Sequence, residues 1–502
     1  QEGGAAMMAE AWGKMTGRPG ICFVTRGPGA ANAMAGLHVA QQDSTPMILF
    51  VGLPGSEHED REAFQEIDTK RLFGSFVKWA AVIRSTDRIP EYVSRAFHVA
   101  QSGRPGPVVL GLPEDMLSAV VEARDAKTVT LAEPGPSAVD LERLSAMLAR
   151  ATRPLVLVGG PGWSGEVQRQ LQAFAERLDL PVTAGFRFQD YFDNRHRCYV
   201  GHAGIGPHAK LADAIKATDL LITIGARLGE MTTSGFTMLD IPNPRQPLVH
   251  VHPSSDELGT VYRADLAIAS TARAFAAALG NVKAPANIPW RTWRSDLRSA
   301  CEAAWAATET PGSVKLEQVI RICSDTLPEN AIITNGAGNY AAFLHRYFTY
   351  KGYRTQLAPT SGSMGYGLPA AIAAKLAFPQ RTVVCFAGDG CLMMTLPDLA
   401  TAVQYGLNII ILVINNGLYG TIRMHQEQTY PGHIFGTSLV NPDFVSLARS
   451  FGAWGERVEA AQDFSAVFER ASKAPGPALI ELAVDPDLIA PGKSLSSIAI
   501  KN

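Results

Sequence analysis

Two short polar stops, Gly388-Asp389-Gly390 and Asn415-Asn416-Gly417, are the residues of this chain best equipped for chemistry. Each closes an apolar, β-rich run, Thr382–Ala387 before the first and Asn408–Ile414 before the second. Asp389 and Asn416 offer hard oxygens of the kind Mg²⁺ takes in small number, leaving the rest of its octahedron to phosphate oxygens and water. The glycines allow the backbone to come close to a phosphate. A lone Asp-Gly pair is most often just a turn. Here residues 391–414, 24 in all, separate the stops, and Leu396–Tyr405 within them reads as a helix closed by Gly406. Strand, helix and strand of these lengths form a βαβ unit. Both stops then lie at the carboxyl edge of one parallel sheet, where ligands of open α/β sheets bind.

This pattern resembles the signature of the thiamine diphosphate enzymes. In that family the Asp, the second Asn and a backbone carbonyl two residues later hold the metal, which implies Asp389, Asn416 and Leu418. The same resemblance makes Gly388, Gly390 and the Cys391 backbone part of a diphosphate cradle. A second stretch, EGGAAMMAEAWGKMTGRPG with FVTRGPGAANAMAGL after it, is similar to the pyrimidine-binding domain of the acetolactate synthase group. Glu2 falls there on the family's catalytic glutamate, and Pro28, Gly29 and Asn32 fall on cofactor-binding positions. A carboxylate at that place hydrogen-bonds a pyrimidine ring nitrogen and favours the imino tautomer, so that the cofactor's own exocyclic nitrogen removes the C2 proton. Without the resemblance, a Glu near a chain start is simply solvated.

Four further segments match. In TSGSMGYGLPAAIAA (360–374), Met364 is implied as the wedge between the two cofactor rings, with the Gly362 carbonyl accepting from the pyrimidine amine; a core Met is the bland alternative. AFQEIDT (63–69) with Val77-Lys78 implies Phe64, Gln65 and Lys78 near the reacting centre, against a surface loop with one buried Phe. After an expected strand at Ala331–Thr334, Asn339 and Tyr340 match phosphate-binding positions that carry Gln-His in acetolactate synthases; both still donate hydrogen bonds. In TIRMHQEQTYPG, His425 aligns with a Trp that helps anabolic members select the larger acceptor. An imidazole there either selects a different acceptor or works as an acid/base. Arg26 replaces the usual Ser before Gly27-Pro28-Gly29, and either greets a substrate carboxylate or pairs locally.

The chain that must position these residues has 502 of them, too many for one core, and the domain-size prior gives about three domains. With 46 % hydrophobic and 18 % charged residues it reads as a soluble globular protein, and its net charge of −2 gives no reason to expect nucleic acid or an anionic membrane. The longest apolar runs, such as Ile409–Ile414, are too short to span a bilayer and read as buried parallel strands. Six cysteines without zinc spacing imply reduced thiols in a cytoplasmic protein. The expected fold is α/β, with three doubly wound parallel-sheet domains: pyrimidine-binding 1–123, central 139–278 and diphosphate/Mg²⁺-binding 313–502. The chain opens at Gln1 without Met or a signal-peptide pattern, and an N-terminal strand–helix piece is expected ahead of it.

The expected strand at Pro154 runs into GGPGWSG, a literal G-x-G-x-x-G, but the next strand, Leu180–Ala184, does not end in a ribose-binding acid. Some members of the resembled family hold FAD in this domain, where a strand typically carries acids. Here that strand, Leu248–His252, carries His250 and His252, which weakens the FAD expectation; the two form either a same-face metal pair or a structural pair. The implied cofactors are thus thiamine diphosphate and Mg²⁺. With Glu2 and the metal site on different domains, family precedent implies a homodimer at least, and a homotetramer as the fuller expectation. The implied reaction is decarboxylation of a 2-oxo acid, pyruvate foremost, with carboligation to a second carbonyl. Alternatives are decarboxylation without ligation, other aldehyde or ketone substrates, and a nucleotide-binding relative without catalysis.

Overall fold

The computed structural model describes residues 1–306, 308 and 310–499. Apart from a short antiparallel pair, Leu488–Ala490 with Lys493–Ser494, its strands assemble into three parallel sheets. The first joins β1 (Gly20–Val24), β2 (Met47–Leu53), β3 (Trp79–Val82) and β4 (Pro107–Pro113) in the order β1-β2-β4-β3. The second holds β5 (Pro154–Val158), β6 (Val182–Ala184), β7 (Tyr199–His202), β8 (Leu220–Ile224), β9 (Leu248–His252) and β10 (Leu266–Ala269) in the order β10-β9-β8-β5-β6-β7. The third holds β11 (Ile332–Asn335), β12 (Gln356–Leu357), β13 (Val383–Gly388), β14 (Ile410–Asn415), β15 (Trp454–Val458) and β16 (Ala478–Ala483) in the order β12-β11-β13-β14-β16-β15.

Strands such as β5, β8 and β9 are buried along their whole length, because helical crossovers cover both faces of a parallel sheet. That is why they read as continuous apolar runs rather than alternating ones. Among the described residues no helix is long and apolar enough to cross a membrane.

Helix α1 (Glu2–Thr16) ends at Gly17, whose φ of 74° takes the left-handed cap conformation. Helix α2 (Gly27–Asp43) starts at the Gly-Pro-Gly turn itself, since Pro28 is preset for a first helical turn. The two helices pack at near-zero clearance. A Cβ on Gly36 would stand 2.5 Å from Ala6 Cβ; β1 meets α1 as closely, since a Cβ on Gly20 would stand 1.7 Å from the Ala9 carbonyl oxygen. The opposite side of α1 serves another layer: Met7, Ala11 and Met15 join the core of the third sheet together with Tyr366 and with Leu368 and Ile372 of α3 (Gly367–Ala377).

One acid lies inside that seam. Glu10 is 0 % exposed, accepts from the Thr45 hydroxyl at 2.7 Å and from the Tyr366 hydroxyl, and faces Asp43 and Lys14. Burial, reinforced by Asp43, raises its pKa from 4.5 to about 7. The folded chain therefore keeps a proton that the unfolded chain gives up. The resulting stability is fully present below pH 4.5 and lost as pH rises through about 7. Glu10→Gln, neutral at every pH, should lack this dependence. Its melting temperature relative to wild type is expected to rise by a few degrees between pH 5 and pH 8 in a buffer-matched thermal scan; a pH-independent difference would count against a titrating Glu10.

Candidate active site

Strands β13 and β14 are neighbours, paired in register from Val384↔Ile410 to Gly388↔Ile414, so Asp389 and Asn416 emerge side by side at the carboxyl edge. The Gly-Asp-Gly stop is not an open turn. It begins a short helix, Asp389–Met393, and the expected helix at Leu396–Tyr405 divides into a 3₁₀ turn, Leu396–Asp398, and an α-helix, Leu399–Gln404.

The Asp389 carboxylate is 3 % exposed and accepts from Gly390 N (2.8 Å), Gly417 N (2.9 Å) and Asn441 Nδ2 (2.8 Å). Among the described residues no Lys, Arg or His pairs with it, and burial raises its pKa. A buried carboxylate without a cation fits a divalent metal. Asn416 Oδ1 faces back to Leu418 N at 3.1 Å, which places the Leu418 peptide in the same turn. No cluster of three acidic, His or Cys side chains exists among the described residues, as suits a cation held by one carboxylate, a carboxamide and a carbonyl.

Next to these groups lies an unmet donor. Asn339 Oδ1 accepts from the Thr421 hydroxyl at 2.9 Å, while Asn339 Nδ2 is buried without a partner. A Cβ on Gly420 would stand 3.2 Å from Asn416 Nδ2 and 3.9 Å from Asn339 Nδ2, so both amides border the space that this glycine leaves open. An unpaired buried amide costs free energy until an acceptor arrives, and a phosphate oxygen is such an acceptor. These residues fit a metal-bound diphosphate.

Tyr340 takes a different place from Asn339. Its hydroxyl is buried, accepts from Gly336 N at 3.1 Å and lies 3.5 Å from Cys391 Sγ, and its ring lies against Gly388. It walls the cradle. Cys391 Sγ also receives Gly365 N at 3.2 Å, tying the segment that carries Met364 to the cradle. Met364 is half-buried and Gly362 exposed.

At the first sheet, Glu2 lies in the opening turn of α1 and accepts from Asn32 Nδ2 of α2 at 3.0 Å; a Cβ on Gly29 would stand 3.6 Å from Glu2 Oε1. Its own backbone N–H, and then Asn32, lower its pKa, so it stands as an acceptor. The loop carrying Phe64 and Gln65 docks on the same turn: Gly27 N donates to Gln65 O at 2.9 Å, and Gln65 adopts φ 60° to offer it. Both side chains are exposed, Phe64 by 76 %, against the reading of a loop with one buried Phe. Arg26 pairs locally, with Glu114 at 2.8 Å and the Phe64 carbonyl at 3.2 Å.

Lys78 is not brought to Glu2 within the chain. It precedes β3 at the amino end of the sheet, the opposite edge, where Nζ donates to the Ser102 carbonyl at 2.6 Å. Burial, with Arg104 beside it, lowers its pKa to about 8. His425 is exposed on α4 (Gly420–Thr429). His250 and His252 are buried in β9; His250 Nε2 lies 3.0 Å from the Ala226 carbonyl, and His252 Nδ1 receives Ser254 N at 3.1 Å. Burial lowers both pKa values, to about 4 for His252, and with no third ligand among the described residues they are a neutral structural pair.

Comparison with known proteins decides what the edge of the third sheet belongs to. Three models match in order: the thiamine pyrophosphate enzyme N-terminal TPP binding domain over 1–72, the central domain over 141–279 and the C-terminal TPP binding domain over 336–482. The chain belongs to the thiamine pyrophosphate enzyme family. Within this family it is similar to the acetolactate synthase large subunit of Parasynechococcus marenigrum (strain WH8102), 31 % identical over 97 % of this chain and 81 % of the relative. The Cyanidium caldarium large subunit is 31 % identical over 99 % and 88 % of the two chains, and the isozyme 2 large subunit of Escherichia coli (strain K12) is 28 % identical over 100 % and 91 %. The chain is thus a thiamine pyrophosphate-dependent enzyme of acetolactate synthase type.

The family signature does not announce two residues that complete the site. Asn441 Nδ2 reaches both Asp389 Oδ2 and Asn415 Oδ1 (2.8 and 2.9 Å), and Glu481 Oε1 accepts from Asn415 Nδ2 at 2.8 Å. The only sequence cue is that Asn441 opens an Asn-Pro turn.

Proposed function

We propose that this enzyme uses thiamine diphosphate and Mg²⁺ to decarboxylate a 2-oxo acid, with pyruvate as the leading donor, and to ligate the remaining two-carbon unit to a second carbonyl compound. The reading rests on one observation above others: a buried, cation-free Asp389 carboxylate beside Asn416 and the unmet amide of Asn339. Asp389, the Asn416 carboxamide and the Leu418 carbonyl would hold Mg²⁺, and Asn339 Nδ2 would donate to a diphosphate oxygen. Gly388, Gly390 and Cys391, with the Tyr340 ring behind them, would shape the cradle. Met364 and the Gly362 carbonyl would meet the rings, and Pro28, Gly29 and Asn32 would line the pyrimidine beside Glu2.

Thiamine diphosphate held by these residues would supply the nucleophilic carbon and the electron sink that decarboxylation of a 2-oxo acid requires. Glu2, an ionised acceptor oriented by Asn32, would receive a hydrogen bond from a protonated pyrimidine nitrogen. Phe64, Gln65 and His425 are exposed and would meet the substrate. The overall reaction is redox-neutral, so FAD, if the protein carries it, has no electrons to transfer in it.

The proposed division is pyrimidine binding in 1–123, a central domain in 139–278 and diphosphate binding in 313–502. Among the described residues no hydrogen bond or ion pair links Glu2 to Asp389, Asn416 or Leu418, and Ile21, Phe23, Met393 and Met394 are exposed. Both facts support an active homodimer, assembled further into a tetramer. Six free, buried cysteines support a reducing, cytoplasmic setting. His425 in place of the acceptor-selecting Trp favours a second outcome of the same chemistry, decarboxylation without ligation or ligation to another aldehyde or ketone.

The test is a pyruvate assay on cofactor-depleted enzyme, with and without thiamine diphosphate and Mg²⁺, following CO₂ and acetolactate. Acetolactate formed only with both supports the proposal, and CO₂ without acetolactate selects the second outcome. No turnover with any 2-oxo acid despite bound cofactor would overturn it.

A further inference from the structure

The segment Ala358–Tyr366, sequence APTSGSMGY, has no sheet or helix ladder to satisfy its backbone, so its polar groups need other partners. Its ends are buried and its middle, around Gly362, is exposed. At the near end Lys14 Nζ donates to the Ala358 carbonyl at 2.6 Å, and Asp43 Oδ1 accepts from Thr360 N at 2.7 Å and from the Thr360 hydroxyl. At the far end the Thr395 hydroxyl donates to the Gly365 carbonyl at 2.6 Å, and Gly365 N donates to Cys391 Sγ. Between them Pro359 O is the pivot. It receives Gly362 N at 3.1 Å, which closes the turn, and it also receives the guanidinium of Arg187 from the loop after β6 in the central domain.

Arg187 is 3 % exposed and holds φ 65°, in the left-handed region that non-glycine residues rarely take. Among the described residues it makes no ion pair, and its buried Nε has no partner. Asp43, a carboxylate whose charge it feels, is already committed to Lys14 at 2.6 Å and to Thr360. A buried guanidinium is ordinarily kept by a carboxylate, and this one is kept by one carbonyl, in the turn that carries Met364, and by the Phe186 ring, whose centroid lies 4.9 Å from its Cζ.

We propose that Arg187 is a positioning residue of the cofactor site, fixing the Ala358–Gly365 turn through the Pro359 carbonyl and thereby coupling the central domain to Met364. The link to the cofactor rests on the function proposed above; the link to the turn does not. Two measurements separate them. Amide hydrogen exchange in the cofactor-free full chain should show Thr360–Gly365 exchanging at least tenfold faster in Arg187→Met, with the second sheet unchanged. In the thiamine diphosphate- and Mg²⁺-loaded enzyme, kcat should fall at least tenfold while the half-saturating thiamine diphosphate concentration moves less than threefold. Arg187→Lys, which keeps a donor and the stem, should recover both to within threefold.

If Arg187→Met does not fold, Thr360→Val removes the neighbouring hydroxyl from the same turn and should give the same local exchange and kcat pattern. Unchanged exchange over 360–365, or faster exchange spread evenly through the central domain with no recovery by Lys, would overturn the proposal. If the wild type binds no thiamine diphosphate, the functional reading falls and the exchange comparison alone decides the role of Arg187.

Discussion

Asp389→Ala is expected to leave an enzyme that no longer retains thiamine diphosphate through gel filtration in the presence of Mg²⁺. The carboxylate is the one anionic ligand proposed for the metal, so its removal deprives the cation of charge and geometry together. It also strips an acceptor from Gly390 N, Gly417 N and Asn441 Nδ2; the last two keep Asn415 Oδ1, and the buried Gly390 N, left unmet, costs about 1–3 kcal/mol. Asp389→Asn separates the two effects, since it keeps the shape and loses the charge. Adding cofactor and Mg²⁺ at 100 times the dissociation constant should stabilise the wild type by about 2.7 kcal/mol and either variant by far less. A variant that holds the cofactor as tightly as wild type would refute the metal assignment.

The second large effect concerns Glu2→Gln. The variant keeps a hydrogen-bonding side chain beside Asn32, so cofactor binding should change little. Exchange of the C2 proton, followed by NMR in D₂O, should slow by roughly 10²–10⁴, the usual scale of a general acid/base contribution. Near-normal exchange would remove Glu2 from the mechanism. The lowered pKa of Glu2 sharpens the expectation: the group is an ionised acceptor at neutral pH, a state that an amide cannot imitate.

What could be read in the sequence was what is local. Leu248–His252 forms a strand within the expected bounds, and the run before Gly-Asp-Gly is displaced by one residue, to Val383–Gly388. Asp389 and Asn416 could be paired because each ends its own strand and the strands are neighbours. Side chains arriving from elsewhere carried no such signal. Asn441 lies 52 residues from Asp389, and Glu114 lies 88 from the Arg26 it pairs with. A motif position likewise does not say at which end of a strand a side chain will stand, and Lys78 stands at the amino end of β3. His250 and His252 alternate along one strand, yet no third ligand comes to them among the described residues, because the residues paired with them in the sheet, Thr223, Ala267 and Ala269, carry no carboxylate, thiol or imidazole.

Helix α1 is walled on one side by α2 and on the other by the core around α3, and Lys14 bonds a carbonyl 344 residues further along. On the ribosome, at about 5–20 residues per second, the second wall comes roughly 20–70 s after the first. Through that interval the Met7–Ala11–Met15 face has no permanent partner, and Glu10 waits for Tyr366. Helix α1, made before the first two sheets, is therefore finished after them, with its unpaired face open to chaperones until residues 366–372 are made.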